Sequence, residues 1–268
     1  MNLLTDIAAA SALGFAVLLL VLLTIAREAG YAFGQRRVRE ANEKKDEGIS
    51  IVVGGILALL GFVLAFNLSI ATSRNGERRL ATMAESNAIG TAWLQATALG
   101  DPRSMQIARL LKDYAEQRVR FLAADHESAE IAESTAQTSA LQTEIWGHMS
   151  ALAREAPGPL SNSLMNALNT VFDMTTEVRF AMAFGFPPQL LWLLFAMNII
   201  AMGVLGYQFG LQGKHHRALT ILLSVLWTAL MVEILDIGTA RIGSVRTPTF
   251  VYDWTIQGFT DIPVPPLP

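Results

Sequence analysis

Four apolar runs decide what this chain can fold into. Residues 7–26, 49–71 and 190–211 contain no charged side chain, and a fourth run, 218–237, contains only Glu233 and Asp236 near its end. A bilayer hydrocarbon core of about 30 Å is crossed by about 20 helical residues, and each run is that long. Inside lipid a segment must satisfy its own backbone polar groups, which a helix does. The sequence therefore predicts four transmembrane helices. The first could be read as a secretion signal. However, the only charged side chain before it is Asp6, no basic n-region precedes it, and Arg27 and Glu28 follow at once. It is read as a span.

Composition excludes several functions. The chain is 52% hydrophobic and only 16% charged, with a formal charge of −3, so a nucleic-acid partner has no electrostatic support. There are no cysteines, which excludes a disulfide framework and a thiolate metal site. His126, His148, His215 and His216 have no ligand spacing, and His215 and His216 suit lipid phosphate headgroups better than a metal. No nucleophile-and-base pattern, phosphate-cradling loop or zinc motif is present. The expectation is no enzyme, no cofactor and no metal.

The predicted fold is an all-α integral membrane protein. Residues 1–74 form a first transmembrane hairpin, 75–186 a helical extramembrane bundle between spans two and three, and 187–268 a second hairpin with a proline-rich tail. Within 75–186, Ile107, Leu110, Leu111, Tyr114, Phe121 and Leu122 make one apolar helical face. Leu160, Leu164, Ala167, Leu168, Val171, Phe172 and Val178 make another. Asp101-Pro102 and Pro157-Gly158-Pro159 are breaks, and 128–140 reads as a weakly anchored helix. Span two should continue through 77–99. Tyr252 and Trp254, ahead of the extended tail from Ile262, are expected at the membrane surface or on a partner.

The short loops carry the orientation signal. Arg27, Arg36, Arg37, Arg39, Lys44 and Lys45 lie between spans one and two, and Lys214 and Arg217 between spans three and four. The positive-inside rule places both turns in the cytoplasm, with the termini and 75–186 outside. Arg74, Arg78 and Arg79 beyond span two, and Arg241 and Arg246 beyond span four, vote the other way. The membrane is taken to be the plasma (bacterial inner) membrane, with its lipids as partners.

Spans one and three end alike, in Gly-Tyr-x-Phe-Gly at Gly30–Gly34 and Gly206–Gly210. Tyr and Phe favour the headgroup level, and the glycine pairs permit close helix approach. The motif reads as an interfacial anchor used twice, or as the trace of a duplicated hairpin. If both copies sit at one depth, Arg27 and Glu28 lie about two turns inside the membrane, where charge is costly and functional. Otherwise span one ends at Ala26 and Arg27 marks the interface.

Other candidates lie on spans two and four. Gly54, Ala58, Gly61 and Ala65 form a small stripe for close packing, and Phe62, Phe66, Ser69 and Ser73 form a second stripe beside it. In a ring of subunits the second stripe would line a pore, with aromatic constrictions and then hydroxyls. The alternative is plain packing. Glu233 and Asp236, spaced i, i+3, could pass protons or cations, or pair with a nearby Arg. Arg74, Glu77, Arg78, Glu85 and Asn87 fall on the helix leaving span two. Arg74 and Arg78 would repel unless partnered, for which Asp173 and Glu177 are candidates. A polar network or an ion-attracting vestibule would result.

The string SRNGERRLATMAESNAIGTAWLQA, Ser73 to Ala96, resembles the signature of the bestrophin-like domain family of bacterial four-span proteins. The resemblance rests on Ser73, Arg74, Glu77, Arg78, Arg79, Glu85, Asn87, Ala88, Ile89, Gly90, Thr91 and Ala92. It extends to Leu110, Leu111, Tyr114 and Arg118, and to Gly206-Tyr207. Bestrophins are pentameric anion channels with four spans, a large cytosolic helical region and an aromatic neck on the second span. The resemblance therefore implies a homo-oligomer, a pentamer, conducting inorganic anions along span two, with 75–186 in the cytosol. That last point opposes the loop charges. No acidic run follows span four, so calcium gating is not implied. The alternatives are a non-conducting sensor that binds a partner through its bundle, and a proton-coupled transporter using Glu233 and Asp236.

Overall fold

The computed structural model describes residues 11–41, 47–126, 128–241 and 243–260. Residues 7–10 of the first predicted span, Lys44 and Lys45, and the tail from Ile262 lie outside the described residues. Every regular element among the described residues is a helix: α1 (Ala12–Ala41), α2 (Glu47–Leu99), α3 (Pro102–Ala123), α4 (Ala129–Glu155), α5 (Pro159–Ala183), α6 (Pro188–Gln212), α7 (Arg217–Gly238) and α8 (Phe250–Gln257). Four helical stretches are long and apolar enough to cross a membrane: Ala12–Arg39, Gly48–Leu99, Pro159–Gln212, which takes in α5 and α6, and Arg217–Gly238. The first extends well beyond residue 26, where the apolar run stops.

The chain divides into two compact units, Met1–Asn75 with Gly185–Val245, and Gly76–Phe184 with Arg246–Pro268. The helix α2 contributes to both. It runs 53 residues without a break, because no proline interrupts it, and stops at Gly100, whose φ of +67° suits glycine.

The core of the first unit takes Phe15, Leu19 and Leu23 from α1, Leu60 and Leu64 from α2, Leu194 and Met202 from α6, and Trp227 and Met231 from α7. In each helix these recur at four- or eight-residue spacing, so one face packs inward. Several buried polar side chains inside this unit donate to their own helix. Asn67 donates to the Val63 carbonyl (2.7 Å), Asn198 to Leu194 (2.8 Å) and the Ser224 hydroxyl to Thr220 (2.9 Å). Each bond reaches one turn back along its own helix, an arrangement that needs no water.

In the second unit the predicted α3 face is buried throughout; of the predicted α5 face Leu164, Leu168, Val171 and Val178 are buried, Ala167 and Phe172 half-buried and Leu160 exposed. Asp101 caps α3, accepting from the Arg103 amide at 2.8 Å, with Pro102 at the first helical position. The weak Ala/Ser/Thr stretch from 128 becomes the first half of α4. It turns Ser134 and Thr138 inward, and Ile145, Met149 and Leu152 of the second half supply the apolar anchor. The short helix α8 corrects the expectation for Tyr252. Its ring is fully buried inside this unit rather than at a membrane surface, while Trp254 is exposed.

Candidate functional site

The duplicated motif is a helix crossing. A Cβ on Gly30 would strike the backbone carbonyl of Gly203, and a Cβ on Gly206 would strike that of Arg27. One turn on, Gly34 would meet the Tyr207 carbonyl and Gly210 the Tyr31 carbonyl. A Cβ on Gly34 would lie 3.0 Å from the Gly210 Cα, and one on Gly210 3.0 Å from the Gly34 Cα. The contacts are reciprocal: each glycine meets the residue three before its counterpart in the other copy. Helices α1 and α6 thus cross as a local two-fold pair, backbone on backbone, which only glycine allows. The motif aromatics hold the following loop. His215 stacks on Tyr31 with centroids 3.8 Å apart, and His216 meets Phe209 edge-on at 5.1 Å.

Arg27 lies at this crossing. Its side chain is only 4% exposed and pairs with the adjacent Glu28, which is half-buried. Glu233 and Asp236 part company. Glu233 is exposed, whereas the Asp236 carboxylate accepts from the Ser244 hydroxyl (2.7 Å) and the Val245 amide (2.9 Å). The carboxylate thereby ties down the chain that leaves α7.

The helix α2 has one face inside and one outside. Val53, Leu60, Leu64, Asn67 and Ala71 are buried, whereas Phe62 is 70% exposed, Phe66 58%, and Ser69 and Ser73 are exposed as well. The small stripe is exposed too. Nothing among the described residues lies within 4 Å of a Cβ built on Gly54, Gly55 or Gly61, so this stripe finds no close partner inside the chain. Beyond residue 75 the exposed positions continue at three- and four-residue steps through Leu80, Met83, Asn87, Thr91 and Leu94.

The polar residues after span two separate in the same way. Arg78 and Glu85 are buried, Arg74 is half-buried, and Glu77 and Asn87 are exposed. Glu85 is a hub with 0% exposure. One carboxylate oxygen accepts from Arg118 Nε (2.7 Å) and the Thr175 hydroxyl (2.6 Å), and the other accepts from the Tyr252 hydroxyl. Tyr114 joins through Thr175 and receives a bond from Gln142 at 2.9 Å. The carboxylate so gathers α2, α3, α5 and α8. Burial, with the Glu85 charge close by, pushes the Tyr114 phenol up to about 12 and the Tyr252 phenol well above its ordinary range. Burial works to lower the Arg118 guanidinium, but Glu85 and the two phenols outweigh it, and the net shift is upward. Asp173 and Glu177, offered as partners for Arg74 and Arg78, are exposed and outside this network. The partners of Glu85 left a trace: Tyr114 and Arg118 stand i, i+4 on an otherwise apolar face, which marks a buried polar pair.

The comparisons agree with this architecture. A crystal structure of a bacterial bestrophin homologue from Klebsiella pneumoniae superposes with a TM-score of 0.66 at 12% identity, covering 91% of this chain and 95% of that one. A single-substitution variant of the same homologue gives 0.67 at 12% identity, with 93% and 97% covered. Identity at this level shows a shared fold. No curated protein matches the sequence. The bestrophin-like domain model matches residues 16–247, nearly the whole chain, and the protein therefore belongs to the bestrophin-like domain family.

Proposed function

We propose that this protein is a homo-oligomeric ion channel in which α2 of each subunit faces a shared axis. The observation that carries the reading is the exposed stripe of α2, with Phe62 and Phe66 at 70% and 58% exposure followed by the hydroxyls of Ser69 and Ser73. Glycine and serine are typical of helix contacts rather than of lipid-facing surface. Large apolar side chains continue past the predicted span at Leu80 (63%), Met83 (46%) and Leu94 (52%), where an uncovered patch calls for a partner. A stripe repeating every 3.5 residues packs about a supercoil axis, which suits several copies around one centre.

The family likeness extends the reading to a pentamer that conducts inorganic anions in the plasma (inner) membrane. Residues 75–186 then form a bundle outside the lipid, on the cytosolic side. Constriction at Phe62 and Phe66 would control passage by dewetting, and Ser69 and Ser73 would offer dipoles to a partly dehydrated ion. The transporter alternative has less support, because both oxygens of Asp236 are engaged by the following loop.

Electron microscopy of the purified protein, viewed down the membrane normal, tests the assembly. A closed ring with α2 at its axis is expected, and a monomer would overturn the shared path. In vesicles, Phe66→Ala is expected to raise anion flux about tenfold or more; flux unchanged by both Phe62→Ala and Phe66→Ala would remove α2 from the path. The chain has no native cysteine. A Glu133→Cys variant, exposed on α4, therefore reports the side of the bundle. An impermeant maleimide should label it only after the cells are opened.

A further inference from the structure

We propose that the second unit carries a binding groove for a small organic anion, an aromatic carboxylate in chemical class. The inference stands apart from ion conduction. It rests on a groove of about 590 Å³ between α2, α3 and the chain after α8. That volume falls within the range of sites for small organic ligands. Trp93 and Phe259 form one wall, stacked with centroids 4.9 Å apart and planes 19° from parallel, and Leu94 and Met105 extend it. The wall offers a flat ligand aromatic and aliphatic surface.

Charge selects the rest of the ligand. Arg109 and Lys112 also line the groove, one turn apart on α3 and both exposed. Among the described residues no Asp or Glu lines it, and neither cation makes an ion pair or a hydrogen bond. Two other surface arginines of this unit do form ion pairs. Arg103 makes a two-pronged bridge to Glu155, with both bonds at 2.7 Å, and Arg246 pairs with Asp125 at 2.8 Å. Two available cations beside an apolar slot match a ligand with an apolar body and an anionic end. A neutral ligand would leave the cations unused, and a polyanion would leave the stacked wall unused.

The test is equilibrium dialysis of 2-naphthoate against the full chain in nanodiscs, with empty nanodiscs as blank and neutral 2-naphthol as the uncharged comparison. Leu94 and Ala98 at the groove edge also lie on the exposed face of α2, so the protein is used in whatever assembly it forms. Saturable binding of naphthoate above the blank is expected. Arg109→Gln with Lys112→Gln should weaken it about tenfold or more, the scale of one lost charge-assisted hydrogen bond, and leave naphthol uptake unchanged. Ala98→Trp, on an exposed position, should fill the slot and abolish binding while the charges remain. Equal uptake of acid and alcohol, or no difference between the parent protein and the Gln variant, would overturn the proposal. Binding that emerges only after Asp261→Asn would also overturn it, because the chain's own carboxylate would then be what these cations hold.

Discussion

A Cβ placed on Gly30 would run into the backbone of α6, yet a Cβ placed on Gly61 would meet nothing within 4 Å. Both glycines sit on apolar helices of the same unit, and both belong to stripes that favour close packing. The first stripe is consumed within the subunit, glycine against glycine at the α1–α6 crossing. The second is left over. A helix surface carries Gly54, Gly61, Ser69 and two exposed phenylalanines, with nothing among the described residues within 4 Å of a Cβ on either glycine; in the proposed channel it would face other copies. On that proposal, completion of the fold and provision for assembly are written in similar residues, and packing tells them apart.

Substitutions can break this division. The largest effect is expected on the inner side of α2. Glu85→Ala removes the acceptor that Arg118, Thr175 and Tyr252 share and strands a fully buried guanidinium, at a cost of about 3–5 kcal/mol. Thermal unfolding in detergent measures it, and replacing Arg118 by Met in the same chain should recover most of the loss. Next comes the crossing. Gly206→Val forces two backbones apart and should cost about 1–3 kcal/mol, visible as lower yield and a lower melting temperature. If it melted like the parent protein, the reciprocal crossing would be wrong.

A pH effect is smaller. The Tyr114 phenol is raised from its ordinary value of 10.0 to about 12. The folded form therefore holds its proton more tightly than the unfolded chain. Its contribution is intact below about pH 10 and is lost as pH rises towards about 12. Helix loss followed by circular dichroism across that window should be blunted in Tyr114→Phe. The smallest effect on the subunit belongs to Gly61→Ala, within about 1 kcal/mol and in the stabilising direction. Any damage it does should appear as an altered oligomer on size-exclusion chromatography, and damage to the subunit instead would collapse the contrast with Gly206.

Much of this was legible in the sequence, for physical reasons. Long apolar runs announce α1, α2, α6 and α7, and Asp101-Pro102 announces the start of α3. The repeated Gly-Tyr-x-Phe-Gly was visible, but not that its copies meet each other. Spacing along one helix says which face is small, and says nothing of which helix it will touch. Glu85 stood out for its place among polar residues, while partners were sought only for Arg74 and Arg78, in Asp173 and Glu177. The partners of Glu85 are an arginine and hydroxyls on apolar faces. Tyr252 was read from its neighbours, Trp254 and the prolines, and its burial depends on a contact 167 positions away.

The crossing also sets an order of events during synthesis. Gly30 and Gly206 are 176 positions apart in the sequence. At about 5–20 residues per second, α1 must wait about 10–35 s after it emerges before α6 can exist to receive it. Through that interval its glycine face and Arg27 stand in or beside the bilayer without the helix that later covers them. The subunit cannot mature in chain order. The first span is held in trust until the third arrives, and a ribosome that stalls between them leaves an orphan for the quality-control machinery of the membrane.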